Sequence, residues 1–249
     1  MTERIYTAAL LIIGNEILSG RTPEANLNYL AKWLNVQGIR LKHARVVPDE
    51  QSAIVEAVRD IHPKFDYLFT TGGIGATHDD ITVEALAEAL NVPIVIHPKA
   101  RAILENYYGD QLNDQHLRMA RVPKGAELIH NHRTGAPGIR WKNIFILAGV
   151  PKILQSMTHA LDGVLEGGLP LLSCTIGAHV AESRVAGLLE SIEKAYEGVQ
   201  VGSYPFWRQG VSGANFVIRS TDPNQLNRAS QALMVGLSEM GIEGHEGEI

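Results

Sequence analysis

Three segments carry carboxylates, two of them beside glycines: Gly14-Asn15-Glu16-Ile17-Leu18-Ser19-Gly20, Pro48-Asp49-Glu50, and Thr70-Thr71-Gly72-Gly73-Ile74-Gly75-Ala76-Thr77-His78-Asp79-Asp80. The third is the richest. Glycines at 72, 73 and 75 let backbone N–H groups approach a ligand with no Cβ in the way. A helix predicted to begin near Asp80 directs its positive end into the same space, which suits phosphate. No Lys follows the glycines, so this is not a Walker loop. Nor is it G-x-G-x-x-G, because His78 takes the third position counted from Gly73. The segment reads alternatively as a plain strand-to-helix turn, with Thr77 as N-cap and Asp79 and Asp80 complementing the helix dipole.

Asp79 and Asp80 also suit a hard divalent cation, which commonly binds one or two carboxylates together with substrate phosphates. Neighbouring helical residues face different ways, so Asp80 is the favoured ligand and Asp79 the cap or orienting partner. Asp49 is either a member of this acidic site or the N-cap of the helix that follows it. Asn15 and Glu16 read as ligand-facing loop residues or as ordinary turn residues. A fourth segment, Asn131-His132-Arg133-Thr134-Gly135-Ala136-Pro137-Gly138, constrains the backbone strongly through Gly135, Pro137 and Gly138. His130 and His132 lack a Cys or carboxylate at zinc spacing and read as surface or strand histidines. There is no G-x-S-x-G elbow. Cys174 lies in an apolar run and reads as an inert core residue.

Strands and helices must hold these segments. The apolar run 6–13 reads as a buried parallel strand. Leu27, Leu30, Ala31 and Leu34 mark a helix ending before Gly38, and 39–47 a second strand. Ile54, Ala57, Val58 and Ile61 mark a second helix. The segments 66–70, 92–96 and 143–147 read as strands, and 81–90 and 150–165 as helices, with another helix opening at Pro98. Repeated β-α units predict a mostly parallel sheet covered on both faces. In such sheets ligands bind beyond the carboxyl ends of the strands, where the three glycine and acidic segments fall. The pattern changes after Gly167-Gly168-Leu169-Pro170. Strands at 171–178, 199–204 and 211–220 and helices at 182–196 and 224–240 then give a small α+β domain. The predicted domains are 1–168 and 169–249. The Gly- and Glu-rich tail after Gly241 reads as a fraying end.

The composition narrows the partners. Of 249 residues, 45% are hydrophobic and 20% charged, which is ordinary for a globular protein. Twenty-two Lys and Arg against 27 Asp and Glu give a net charge of −5, which argues against general attraction to nucleic acid. No apolar run reaches the roughly 18 residues of a membrane span. No signal peptide is read at the start, and a single Cys fits a reducing compartment, so the expected location is the cytoplasm.

The segments 14–20, 70–82 and 135–138 together resemble the molybdopterin-binding domain of the CinA (competence/damage-inducible protein A) type, which is related to MoaB and Mog. The resemblance covers about residues 5–165. Gly202-Ser203-Tyr204-Pro205-Phe206 is similar to the CinA-type extension. The resemblance implies a three-layer α/β sandwich with a pocket at the strand ends and a small C-terminal α+β domain. It matches Asp49 and Asp80 to the acidic positions of the Mog-type site, and Gly72, Gly73 and Gly75 to a phosphate cradle. It implies a divalent metal, Mg²⁺ or Co²⁺, and molybdopterin as a ligand. It also implies a homo-oligomer and chemistry on adenylylated or pyrophosphate-linked compounds. CinA-type sequences usually read Pro-Gly-Val-Pro followed by an acidic residue. Here the run is Ala148-Gly149-Val150-Pro151 followed by Lys152, which puts a cation beside the expected pocket as a phosphate anchor. Longer relatives add an amidase domain that this sequence does not contain, so nicotinamide-nucleotide deamidation is not expected.

The leading expectation is an enzyme hydrolysing the pyrophosphate bond of an ADP-ribose-like nucleotide. Gly14, Asn15, Glu16, Thr77, Gly135, Pro137, Gly138 and Lys152 would bind it alongside the cradle. The alternative is a nucleotide- or pterin-binding module without turnover. A DNA-acting interaction protein is the weakest reading.

Overall fold

Ala8, Leu10 and Ile12 alternate with Ala9, Leu11 and Ile13 along the first strand, and all six are buried. Side chains alternate across a strand, so both faces of this one need cover. The structure is a computed structural model describing residues 4–208 and 210–249. It shows two units, the first ending at Gly168 and the second spanning Leu169–Ile249.

In chain order the first unit runs β1 (Tyr6–Ile13), α1 (Asn15–Leu18), α2 (Asn26–Val36), β2 (Ile39–Val47), α3 (Gln51–Ile61) and β3 (Tyr67–Thr71). It continues with α4 (Thr82–Ala89), β4 (Ile94–Ile96), α5 (Pro98–Tyr108), α6 (Asp114–Arg118) and β5 (Arg121–Pro123). β6 (Glu127–Ile129), β7 (Gly138–Trp141), β8 (Ile144–Leu147) and α7 (Pro151–His159) complete it. The main sheet has the order β2-β1-β3-β8-β7-β6. Its first four strands are parallel, and β7 and β6 run antiparallel at one edge. One β1 face, with Ala9, Leu11 and Ile13, packs with Ile54 and Val58 of α3 and Leu86 of α4. The other, with Ala8, Leu10 and Ile12, packs with Leu30 and Trp33 of α2 and Leu154 and Met157 of α7. This is the three-layer α/β sandwich. Each fully buried Leu, Ile or Phe contributes about 1.5–3 kcal/mol.

The second unit runs β9 (Leu172–Ala178), α8 (Glu182–Ala195), β10 (Gln200–Arg208), β11 (Val211–Ser220), α9 (Pro223–Glu239) and β12 (Gly244–Glu246). Its antiparallel sheet has the order β10-β11-β9-β12. Val185 and Ile192 of α8 and Leu226, Leu233 and Leu237 of α9 pack against Ile176, Phe216 and Ile218, and Cys174 borders this core.

Several expectations need correction. The tail after Gly241 does not fray, because Gly244–Glu246 pairs with β9. The segment 92–96 shortens to β4, which pairs with β5 outside the main sheet. The last helix of the first unit stops at His159, well before 165. β5, β6 and β7 were not anticipated.

Candidate functional site at the strand ends

Register brings the predicted segments together. Ile13 lies opposite Val47, Ile12 opposite Thr71, and Thr71 opposite Leu147. The four parallel strands therefore end side by side, and Gly14, Asp49, Gly72 and Gly149 follow those ends. Backbone bonds continue the ladder one step further, from Gly14 N–H to Val47 O and from Gly72 N–H to Leu147 O, each 3.2 Å.

Asp49 does not cap α3, whose N-cap position is Glu50 without a side-chain bond. Its Oδ2 accepts the Asn15 N–H at 2.7 Å, tying the end of β2 to the first residue of α1. Glu16 is exposed but curls back, and a Cβ on Gly14 would fall 2.7 Å from both its carboxylate oxygens. Gly72 has φ +99°, and a Cβ there would sit 2.1 Å from the Ile13 carbonyl oxygen. Only glycine permits that approach between the ends of β1 and β3.

The 72–82 loop is built differently from a capped helix start. α4 begins at Thr82, and Thr77 lies outside it. Thr77 instead donates its N–H to Asp80 Oδ2 at 2.8 Å, and its hydroxyl bonds the same oxygen. The Asp80 carboxylate also folds over Gly75, leaving no room for a Cβ. Buried Thr82 closes the loop through its hydroxyl to Gly72 O at 2.9 Å and its N–H to Gly73 O at 3.0 Å. Among the described residues, no acceptor meets the N–H groups of Gly73, Ile74 and Gly75. Asp79 is exposed, and its carboxyl is held below the ordinary range first by the Thr77 hydroxyl and then by its own backbone N–H.

Two hollows flank this loop. Gly73, Gly75, Asp80 and Pro137 line a narrow crevice with Glu84, Arg118 and Arg121. Glu84 pairs with Arg121 at 2.6 Å and with Arg118 at 3.8 Å, and Arg118 also donates to Asp80 O at 3.3 Å. Glu16, Glu24, Asn26, Thr71, Gly149 and Pro151 line a cleft of about 50 Å³. Asn26 is buried there. Its Nδ2 donates to Gly149 O at 2.7 Å, while its buried Oδ1 has no partner among the described residues.

Arg118, Arg121, Glu84 and Asn26 escaped the sequence reading. Each sits inside a helix or short strand with no motif to announce it, and only the fold brings it to the loop. Lys152 is exposed in the first turn of α7, beside Pro151, and is not part of the cleft wall. Gly135 lies against the Tyr107 ring, and Gly138 is enclosed by Met157, Ile129 and Ile146. Of the 135–138 segment, Pro137 alone lines the crevice, and no residue of it lines the cleft.

A divalent cation would find no protein cage here, because no group of three or more His, Cys, Asp or Glu gathers among the described residues. The donors fit the other arrangement, in which one or two carboxylates hold Mg²⁺ together with water and substrate phosphates. No helix is long and apolar enough to cross a membrane among the described residues.

A mostly parallel sheet with glycine and acidic loops at the carboxyl ends of its strands is the architecture of a ligand-binding α/β domain. Residues 9–169 match the family described as the probable molybdopterin binding domain, and residues 170–246 match the middle domain of FAD synthase. A relative from Thermoplasma acidophilum, protein Ta0487, is 32% identical over 205 residues, covering 80% of each chain. One from Caldivirga maquilingensis is 36% identical over 192 residues, covering 74% of this chain and 72% of its own. The crystal structure of a CinA protein of unknown function from Thermoplasma acidophilum superposes with a TM-score of 0.61 at 32% identity. It covers 64% of this chain and 98% of that one. The chain belongs to the CinA-type family built on the molybdopterin-binding domain.

Proposed function

We propose that the strand ends bind a nucleotide diphosphate or a pterin phosphate, and that the bound ligand is hydrolysed at a pyrophosphate bond. The observation that carries this reading is the trio of unengaged N–H groups at Gly73, Ile74 and Gly75, beside Asp80 and next to the ends of four parallel strands. Such donors are oriented for phosphate oxygens at no reorganisation cost. Lys152, exposed on α7, lines neither hollow and would meet a phosphate only where the ligand extends beyond them.

With an ADP-ribose-like substrate, a water oxygen attacks the adenylate phosphorus, the bridging P–O bond breaks, and AMP and ribose 5-phosphate leave. Asp80, with Asp79 beside it, would hold a divalent cation, which would neutralise charge on the phosphates. Asp80 holds its place through Thr77 and presents its other oxygen, Asp79 adds an ionised carboxylate beside it, and Asp49 orients groups at the β2 end. Positioning and charge placement account for most of the rate in this chemistry.

The second reading is binding without turnover. It is favoured by the engagement of one oxygen of Asp49 with Asn15 and one of Asp80 with Thr77. The test is AMP release from ADP-ribose with Mg²⁺, with Co²⁺ and with no metal. Metal-dependent release that falls by about 100-fold or more in Asp80→Asn is the expected result. Equal rates in both proteins would remove Asp80 from the reaction. Calorimetric binding of the nucleotide without any release would leave the binding module standing.

A further inference from the structure

The 130–137 segment is only partly absorbed by the strand-end site, and it lines two adjoining hollows of about 230 and 440 Å³. The larger is an open groove within the size range of small-molecule sites, conventionally about 300–1,000 Å³. Among the described residues, no carboxylate lines either hollow. The basic side chains in the walls are Lys99 in one, Arg133 in the other, and His130 and His132, whose exposed rings lie 4.1 Å apart at 52°. Neither Lys99 nor Arg133 has an ion-pair partner among the described residues.

An aromatic surface completes the hollow. Tyr107 is 54% exposed and rests on Gly135, where a Cβ would come within 2.5 Å of its ring. The glycine is required for the tyrosine to lie there. Tyr108 braces it edge-on at 5.0 Å and itself stacks on His116 at 3.8 Å. The loop is held from inside by buried Asn131. Its Oδ1 accepts the Arg133 N–H at 3.0 Å, and its Nδ2 donates to Thr134 Oγ1 and to the Ala136 carbonyl. His132 N–H adds a bond to Ser156 Oγ at 3.1 Å. Arg133 thus stands on a shaped loop, and Lys99 on α5, beside a fixed aromatic face, in a chain whose net charge is −5. Pro137 is the shared wall between the first hollow and the Gly73–Asp80 crevice.

We infer that this pocket is a second binding site, for a phosphate-bearing aromatic molecule of the mononucleotide class. Lys99, Arg133 and the two imidazoles face the phosphate, and Tyr107 stacks on the ring. Stacking tolerates any base, so the site selects for a ring joined to an anion rather than for one base. It does not depend on turnover at the strand ends.

The probes are AMP and inorganic phosphate, and the readout is the ring C–H resonances of His130 and His132, assigned through His130→Gln and His132→Gln. Saturable movement of both signals with AMP, at least tenfold weaker in a Lys99→Ala, Arg133→Ala double variant, is the expected result. Tyr107→Ala is expected to weaken AMP and leave phosphate unchanged. Gly135→Ala, which forces the ring away, is expected to act in the same direction. Either no movement with AMP, or the same movement in the double variant and with sodium chloride alone, would overturn the site. These signals report the pocket itself, so loss of AMP release in Asp80→Asn leaves the result intact.

Discussion

Asp66, at the entrance to β3, shows what one carboxylate can hold together. The N–H and hydroxyl of Thr7 both reach its Oδ2 at 2.8 Å, and Arg4 reaches Oδ1 at 2.7 Å. Burial pushes its pKa up, but the two bonds from Thr7 and the Arg4 guanidinium outweigh it, and the net direction is down. A carboxyl lowered in the folded state binds its proton more readily when unfolded. Its contribution is complete above the ordinary value of about 3.9 and is lost as pH falls through the lower folded value. Urea midpoints measured across the acid range should therefore fall more steeply in the wild type than in Asp66→Asn. Parallel profiles would show that the carboxylate carries no such linkage. At this same scale the sequence was misleading for Thr77 and Asp49. Both have the residue type and spacing of a helix N-cap, yet one serves Asp80 and the other Asn15. A cap motif names a donor or acceptor and leaves its partner to the fold.

At the scale of elements, burial on both faces made β1, β3 and β8 readable as apolar runs, and helical spacing did the same for α2 and α3. β5 and β6 have three residues each, too few to display a period, and β7 has four. They were missed for that reason, and with them the edge that carries the 130–137 loop. The start of α2 was equally silent. Glu24 lies two residues before it, and its two carboxylate oxygens accept the N–H groups of Asn26 and Leu27, each at 2.9 Å. This anion at the positive end of α2 does the work of a Ser or Asp cap from an unusual distance. Glu24→Ala should cost about 0.5–2 kcal/mol, by analogy with lost caps. Calorimetry should register it as a fall in Tm of about 2–4 °C or less per kcal/mol in a chain of this size. An unchanged Tm would mean that water replaces the carboxylate without loss.

For the whole molecule, the change of pattern near residue 170 was legible because alternating β-α units give way to paired strands, and the second unit has a core of its own. The candidate site was legible as segments after strands, while its division by the 72–82 loop into a crevice with two arginines and a cleft with two glutamates was not. Those side chains come from α1, α6, β5 and the loop before α2, and no sequence period links them.

The sheet order described above also carries a timetable. β1 pairs with β2 and β3, all within residues 6–71, whereas β8 must travel from 144–147 to reach β3. Closing the longer loop costs more chain entropy and is slower. Pulsed hydrogen exchange during refolding should show amides between β1 and β2 protected before those between β3 and β8, and simultaneous protection would contradict this. The loops bearing Gly14, Asp49 and Gly72 then meet early on an emerging chain, and the 148–151 turn arrives last to finish what they began.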